Sequence, residues 1–291
     1  MRAVATELGP IAAEILGTRA GGAVVAAFRR SAYLADEAGR LVWLGQDASV
    51  LPARGIVVAA GLDFARLRAA QRWDHCEGAL RIEDTALVRI AAQPPLIWPA
   101  AGKPHADWPA GARDMLAQLP LDEARGLGAL LAGRPLAALL LPLHEPLAQL
   151  EQALHWNATH LSCTADAGAA AVALLGAGLG LTPSGDDFLG GLLGTLRGAC
   201  PAPAPELDQL IAAVMQAAPL RTTPISAALL CDLLAGAPPR HLVRFWSALF
   251  GADRAALAAA VAQLRSHGAT SPWDFLTGVA AAARIFTASQ R

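Results

Sequence analysis

The spacing of apolar residues changes near Pro109, and this change constrains the fold more than any other feature of the sequence. Beyond it, apolar residues recur at i, i+3, i+4 and i+7, which is the spacing of one helix face. Several segments are so rich in Ala, Leu and Gly that both helix faces would be apolar, as is typical of helices buried inside a bundle. Helices are predicted in "ARDMLAQL", "LDEARGLGALLAG" and "HEPLAQLEQALHW", and near residues 167–177, 187–199, 206–218, 224–236, 240–250, 253–266 and 272–287.

The residues before Pro109 show short β-rich runs instead. "AVVAAFRRSAYLADE" and "RLVWLG" flank "EAGR", which predicts a hairpin turn at Gly39. Further short runs follow, bounded by Gly, Pro or Asp, and closely spaced short strands favour an antiparallel barrel or sandwich. We therefore predict an α+β protein with a small N-terminal antiparallel β barrel or sandwich in residues 1–108 and a larger all-helical domain in residues 109–291.

Composition excludes several classes of function. The chain has 291 residues, 23 of them basic and 24 acidic, so it lacks the positive charge expected of a protein that binds nucleic acid or an anionic membrane. Its four cysteines form no CxxC pair, which argues against a disulfide framework or a cysteine metal cluster. The N-terminus carries acidic residues where a secretory signal needs an apolar core. The sequence predicts a cytoplasmic protein.

The segment from Gly176 to Gly191, "GAGLGLTPSGDDFLGG", joins flexible backbone, hydroxyls and two adjacent carboxylates. Gly176, Gly178 and Gly180 predict a break after one helix, and Thr182-Pro183 is typical of the start of the next. Asp186 and Asp187 then fall in the first turn, where acidic residues also suit the helix dipole. Capping alone does not require so many polar groups at once, which favours a functional site.

The chemistry of this segment stays open between two types of ligand. It is not a phosphate-binding P-loop, because the motif lysine is missing and the only lysine of the chain is Lys103. The free N–H groups of a helix start could hold an anion. Alternatively, Asp186 and Asp187 could bind Mg²⁺ bridged to a phosphate. We predict these two aspartates as catalytic residues, with Mg²⁺ as the possible cofactor.

Two more helix starts combine hydroxyl groups with proline. In "RTTPIS", Thr222 and Thr223 precede Pro224, and Arg221 could reach an anion near the helix start. In "HGATSPWDFLTG", Thr270 and Ser271 precede Pro272, and Asp274 has the spacing of a capping box. We expect the three starts to line one pocket, although ordinary capping would also explain them. The predicted substrate-binding residues are Gly178, Gly180, Thr182, Ser184, Gly185, Arg221, Thr222, Thr223, Ser226, His267 and Ser271.

These motifs together resemble the AllH-like family, which was long a domain of unknown function and is linked to the oxamate carbamoyltransferase of anaerobic allantoin breakdown. The resemblance rests on "GLGLTPSGDDFLGG", "RTTPIS" and the C-terminal segment with Trp273 and Asp274. It is expected to span most of the chain.

The resemblance implies a subunit that acts beside other carbamoyltransferase subunits on oxamate or oxalurate, carbamoyl phosphate and phosphate. Such small anions suit arginine, hydroxyls and free N–H groups, and a planar carboxylate would suit Arg221. Two alternatives remain from the residues alone. One is a Mg²⁺-dependent enzyme that handles phosphoryl groups or nucleotides, and the other is a non-catalytic binding or scaffold subunit.

Overall fold

A computed structural model describes residues 1–17, 20–59, 61–90, 104–157, 160–200 and 203–288. It divides into two compact units, one made of residues 1–99 with 237–241 and the other of residues 100–236 with 242–291. The boundary predicted between residues 108 and 109 stays a prediction, and Lys103 lies outside the described residues.

The first unit is a closed barrel of eight strands. Alternate residues of β1 and β3 are buried, so one face of these strands lines the barrel core. A short helix, α1, adds Ala12, Ile15 and Leu16 to this core. The elements are β1 (Arg2–Leu8), α1 (Pro10–Gly17), β2 (Ala20–Ala27), β3 (Ser31–Asp36), β4 (Leu41–Gly45), β5 (Gly55–Val58), β6 (Arg72–Cys76), β7 (Ala79–Ile82) and β8 (Ala86–Arg89).

The barrel is mixed, so the predicted antiparallel order is wrong in part. The predicted hairpin is present, because β3 and β4 pair antiparallel and Gly39 has a φ of +79°. However, β1 pairs parallel with β8, and β4 pairs parallel with β5. Short turns predict antiparallel neighbours only. β1 and β8 are the first and last strands of the barrel, and Arg2 pairs with Leu87. No short turn connects these two strands, so no local turn sequence predicts their pairing.

The second unit is mainly helical but contains one two-stranded antiparallel sheet, so the predicted all-helical composition is wrong in this detail. The region "LDEARGLGALLAG", predicted as one helix, contains a 3₁₀ turn and a single short helix because glycines interrupt it. The elements are α2 (Trp108–Ala117), α3 (Gly128–Leu131), α4 (His144–Ala153), β9 (Leu154–Asn157), β10 (His160–Cys163), α5 (Ala167–Leu174), α6 (Ser184–Ala199), α7 (Pro205–Arg221), α8 (Pro224–Leu234), α9 (Arg240–Phe250), α10 (Arg254–Arg265) and α11 (Ser271–Ala288).

Helices α6 and α11 form the centre of this unit and are buried along most of their length. Their backbones approach closely where each helix has a glycine. A Cβ on Gly191 would lie 2.1 Å from the Phe275 carbonyl oxygen, and one on Gly278 would lie 2.1 Å from that of Phe188. This crossing brings the first turns of α6 and α11, which carry two of the predicted motifs, into the same part of the unit. Among the described helices, none has the length and apolar character needed to cross a membrane.

Candidate functional site

The glycine-rich loop between α5 and α6 runs close to the end of α7. Gly176 has a φ of +74°, and a Cβ there would lie 2.0 Å from the Arg221 carbonyl oxygen. Gly178 has a φ of +120°, and a Cβ there would lie 2.6 Å from the backbone nitrogen of Ser184. Both positions therefore require glycine for the backbone angle and for the close approach. The loop is folded tightly onto the start of α6 and the end of α7.

Asp186 joins this loop to the link between α7 and α8. The Gly176 N–H donates to Asp186 Oδ1 at 2.8 Å, and the Ser226 hydroxyl donates to Oδ2 at 2.6 Å. The Thr222 hydroxyl also donates to Oδ2. The Asp186 residue is only 2% exposed. Since three protein donors occupy both carboxylate oxygens, Asp186 braces the segments together, and its predicted catalytic and metal-binding roles stay predictions.

Thr223 begins α8 and also contacts the glycine-rich loop. Its hydroxyl oxygen accepts from the Ser226 N–H at 3.0 Å, as an N-cap does, and its O–H donates to the Leu181 carbonyl oxygen at 2.6 Å. The predicted start of this helix is therefore present. The same hydroxyl that caps α8 also fixes the loop before α6.

The third helix start meets the first through two hydroxyls. Thr182 Oγ1 lies 2.8 Å from Ser271 Oγ, across 89 positions of sequence. The structure thus brings Gly176–Gly191, Arg221–Ser226 and the start of α11 together through side-chain contacts. The capping box predicted for Ser271 and Asp274 is replaced by a tertiary contact, because Asp274 Oδ1 accepts from the Leu127 N–H at 2.5 Å.

Asp274 belongs to the third helix start but was not among the predicted substrate-binding residues. It is fully buried, and its Oδ2 has no hydrogen-bond partner among the described residues. Gly126 makes room for it: a Cβ there would lie 2.3 Å from Asp274 Oδ1. Burial raises the Asp274 pKa to about 6, although the Leu127 N–H and nearby hydroxyls oppose the rise. No local sequence pattern indicates this contact, because Leu127 and Asp274 lie 147 positions apart.

Asp187 lies on the side of α6 that faces the start of α11. Its Oδ2 is buried and has no hydrogen-bond partner among the described residues, although the residue as a whole is partly exposed. Burial raises the Asp187 pKa well above its usual value, the Ser271 and Thr182 hydroxyls oppose this rise, and the Asp274 carboxylate adds to it. The two adjacent aspartates therefore have different environments.

The remaining predicted residues differ in their placement. Ser184 is buried as the first residue of α6, and the Gly185 N–H donates to the Ala177 carbonyl oxygen at 2.9 Å. Gly180 has a φ of +96° with open space around it. His267 Nδ1 lies 2.7 Å from the Gln263 carbonyl oxygen, at the end of α10, and its part in the site stays a prediction.

Arg221 is exposed at the last position of α7, immediately before the Thr222–Thr223 link. Its guanidinium makes no hydrogen bond or ion pair with another described residue. Its backbone carbonyl, in contrast, is fixed against Gly176. The chain therefore holds the base of this side chain in place and leaves its charged end open.

The Mg²⁺ site that the sequence predicts at the two adjacent aspartates stays a prediction. Asp187 keeps an oxygen without a partner, but both oxygens of Asp186 accept from protein donors. Within the described ranges, no three His, Cys, Asp or Glu side chains form a group that could hold a metal ion.

Comparison with known proteins identifies one family. Residues 174–283 match the family model described as oxamate carbamoyltransferase subunit AllH. Curated proteins and solved structures give no match. The matched segment runs from the last residue of α5 into α11 and contains all three motifs, whereas the resemblance was expected to span most of the chain. The resemblance to the AllH-like family is confirmed, and it rests on residues 174–283 of this chain.

Proposed function

We propose that this chain is a subunit of an oxamate carbamoyltransferase and that its helical unit binds a small anionic substrate where α6, α8 and α11 begin. The candidate anions are oxamate, carbamoyl phosphate and phosphate. The observation that carries the proposal is the set of side-chain contacts that joins the three helix starts, from Ser226 to Asp186 and from Thr182 to Ser271. We further propose that the reaction belongs to allantoin breakdown, as the family resemblance implies, and that the protein is cytoplasmic, as its N-terminal sequence and cysteine usage predict.

Three joined helix starts favour an anion for an electrostatic reason. The N-terminal end of each helix carries partial positive charge and N–H groups without partners inside the helix. One such end attracts an anion, and three ends held together add their potentials in one region. The Asp186 carboxylate already occupies part of this region. The remaining N–H groups and the hydroxyls of Thr182 and Ser271 are suited to a second, exchangeable anion.

Arg221 supplies the full positive charge that the helix ends lack. A guanidinium can grip a carboxylate or a phosphate through two parallel hydrogen bonds, which a lysine cannot do. Its lack of an ion pair with the described residues and the fixed position of its backbone beside Gly176 suit this role. We propose Arg221 as the principal contact of the substrate anion.

Asp187 and Asp274 would repel an anion if both were ionised. The raised pKa of each side chain reduces this repulsion, because each stays protonated to a higher pH than an ordinary aspartic acid. A protonated Asp187 could also donate a hydrogen bond to the substrate. We propose that Asp187 contacts the substrate and that Asp186 keeps its bracing role.

Titration calorimetry with oxamate, carbamoyl phosphate and phosphate tests this function. The Arg221→Lys variant keeps the charge but loses the paired hydrogen bonds, so affinity should fall roughly ten- to a hundred-fold, with little change in melting temperature. Arg244→Lys is the matched control, since Arg244 is an exposed arginine on α9. The other transferase subunits are added if the chain alone does not bind. Equal affinity of all three proteins for every anion would contradict the proposal.

A further inference from the structure

The two most exposed large apolar side chains among the described residues lie within the segment that matches the AllH family model, residues 174–283. Leu220 is 87% exposed at the end of α7, and Leu179 is 71% exposed in the glycine-rich loop. Leu181 in the same loop is 39% exposed. Pro219 and Pro224 are exposed as well. We call these five residues the leucine patch.

The leucine patch is one surface because the contacts of the motif hold its parts together. The Thr223 hydroxyl donates to the Leu181 carbonyl oxygen, which fixes the loop next to the start of α8. Gly176 fits against the Arg221 carbonyl oxygen, which fixes the loop next to the end of α7. Single exposed apolar residues are ordinary, whereas a group of them at a conformationally fixed site indicates an interaction surface.

We propose that the leucine patch is the surface on which another subunit of the transferase docks, and that docking covers the anion site. This inference rests on the proposed function. Its chemical reason is that a carbamoyl group must pass to its acceptor without reaction with water, so a site on an exposed loop needs a cover. The patch includes two residues of the glycine-rich loop and Leu220, which lies directly before Arg221 in the sequence, so a subunit bound to it would cover the proposed anion site.

The positive charge of Arg221 favours a different subunit, and not a second copy of this chain, as the partner that binds the leucine patch. Arg221 is adjacent to Leu220 and has no ion pair with the described residues. In a symmetric dimer through this patch, the same surface faces itself, so one interface would bring in two Arg221 guanidiniums of like charge without an opposite charge from the described residues. A different subunit can complement this face with apolar side chains opposite the leucines and with a carboxylate or a shared substrate anion opposite Arg221.

The test is co-purification of the chain with the other oxamate carbamoyltransferase subunits of the same organism, followed by measurement of the dissociation constant of the complex. The doubly substituted Leu179→Ser/Leu220→Ser variant should bind at least about ten-fold more weakly, because truncated apolar anchors at the centre of an interface dominate its affinity. The control is Leu139→Ser/Leu141→Ser, since these leucines are 57% and 55% exposed and belong to another segment of the helical unit. Melting curves of both variants check that they fold.

The outcomes separate this inference from the proposed function. If the patch variant binds the other subunits more weakly while the control variant binds them normally, docking at the leucine patch is supported. Equal affinity of the patch variant and the unsubstituted chain overturns it, even if anion binding persists. If the unsubstituted chain and the control variant self-associate but the patch variant does not, the patch binds a second copy of this chain, and docking of another subunit is overturned. If the unsubstituted chain forms no complex with these subunits, the proposed function fails and this inference fails with it.

Discussion

The Ser226 hydroxyl donates to Asp186 Oδ2 across 2.6 Å and so joins the first turn of α8 to the first turn of α6. Gly176 and Thr222 donate to the same carboxylate, which is almost completely buried. Hydrogen bonds to an ionised acceptor are stronger than those between neutral groups. This one side chain therefore holds together the loop, the α7–α8 link and α8.

The Asp186→Asn substitution should lower the free energy of unfolding by about 1.5–3 kcal/mol, because the amide removes the charge and replaces one acceptor oxygen. The adjacent Asp187→Asn substitution is the matched comparison. Burial already disfavours the charged form of Asp187, so a neutral amide should cost little stability at neutral pH. Urea denaturation of both variants measures the difference. Equal losses for the two would contradict the bracing role of Asp186.

The Gly176→Ala substitution should destabilise the helical unit more than Gly180→Ala does. Both glycines have positive φ, which costs an alanine about 1–2 kcal/mol. Only at Gly176 does the new Cβ also meet backbone, at 2.0 Å from the Arg221 carbonyl oxygen, while the space around Gly180 is open. Thermal denaturation of the two variants isolates this clash. A smaller or equal loss for Gly176→Ala would show that the loop can move away from α7.

Stability should rise as the pH falls through the range set by Asp274. Its folded-state pKa is about 6, above its ordinary value of 3.8, so the folded protein binds this proton more tightly than the unfolded chain. This contribution to the free energy of unfolding grows from about pH 6 down to about pH 4 and amounts to roughly 3 kcal/mol.

The Asp274→Asn variant should lose that pH dependence, because the amide does not titrate and still accepts from the Leu127 N–H. The measurement is the free energy of unfolding of both proteins between pH 4 and pH 8, compared with the exposed control Asp166→Asn. At pH 7–8 the Asp274→Asn variant should be at least as stable as the unsubstituted chain. Parallel profiles for the two proteins over the whole range would refute the prediction.

Local sequence patterns predict the change from short strands to helices, and they place the starts of α6, α8 and α11 to within a few residues. These features are local. Proline fixes its own φ, a hydroxyl caps the helix start beside it, and apolar spacing follows the helix period. Thr223-Pro224 follows this pattern, because the Thr223 hydroxyl caps α8. Thr182-Pro183 also precedes a helix, but α6 begins at Ser184 without a side-chain cap, and the Thr182 hydroxyl contacts Ser271 instead.

The different roles of the carboxylates follow from tertiary contacts. Asp186 and Asp187 are neighbours in one helix turn and look alike in the sequence, but they point in different directions because successive helix residues are rotated about the axis. Asp186 meets Thr222 and Ser226, whereas Asp187 lies beside Ser271. Asp274 pairs with Leu127 across 147 positions, and the barrel closes by parallel pairing of β1 and β8. Contacts between such distant residues follow from packing of the whole unit, and local sequence patterns carry no signal for them.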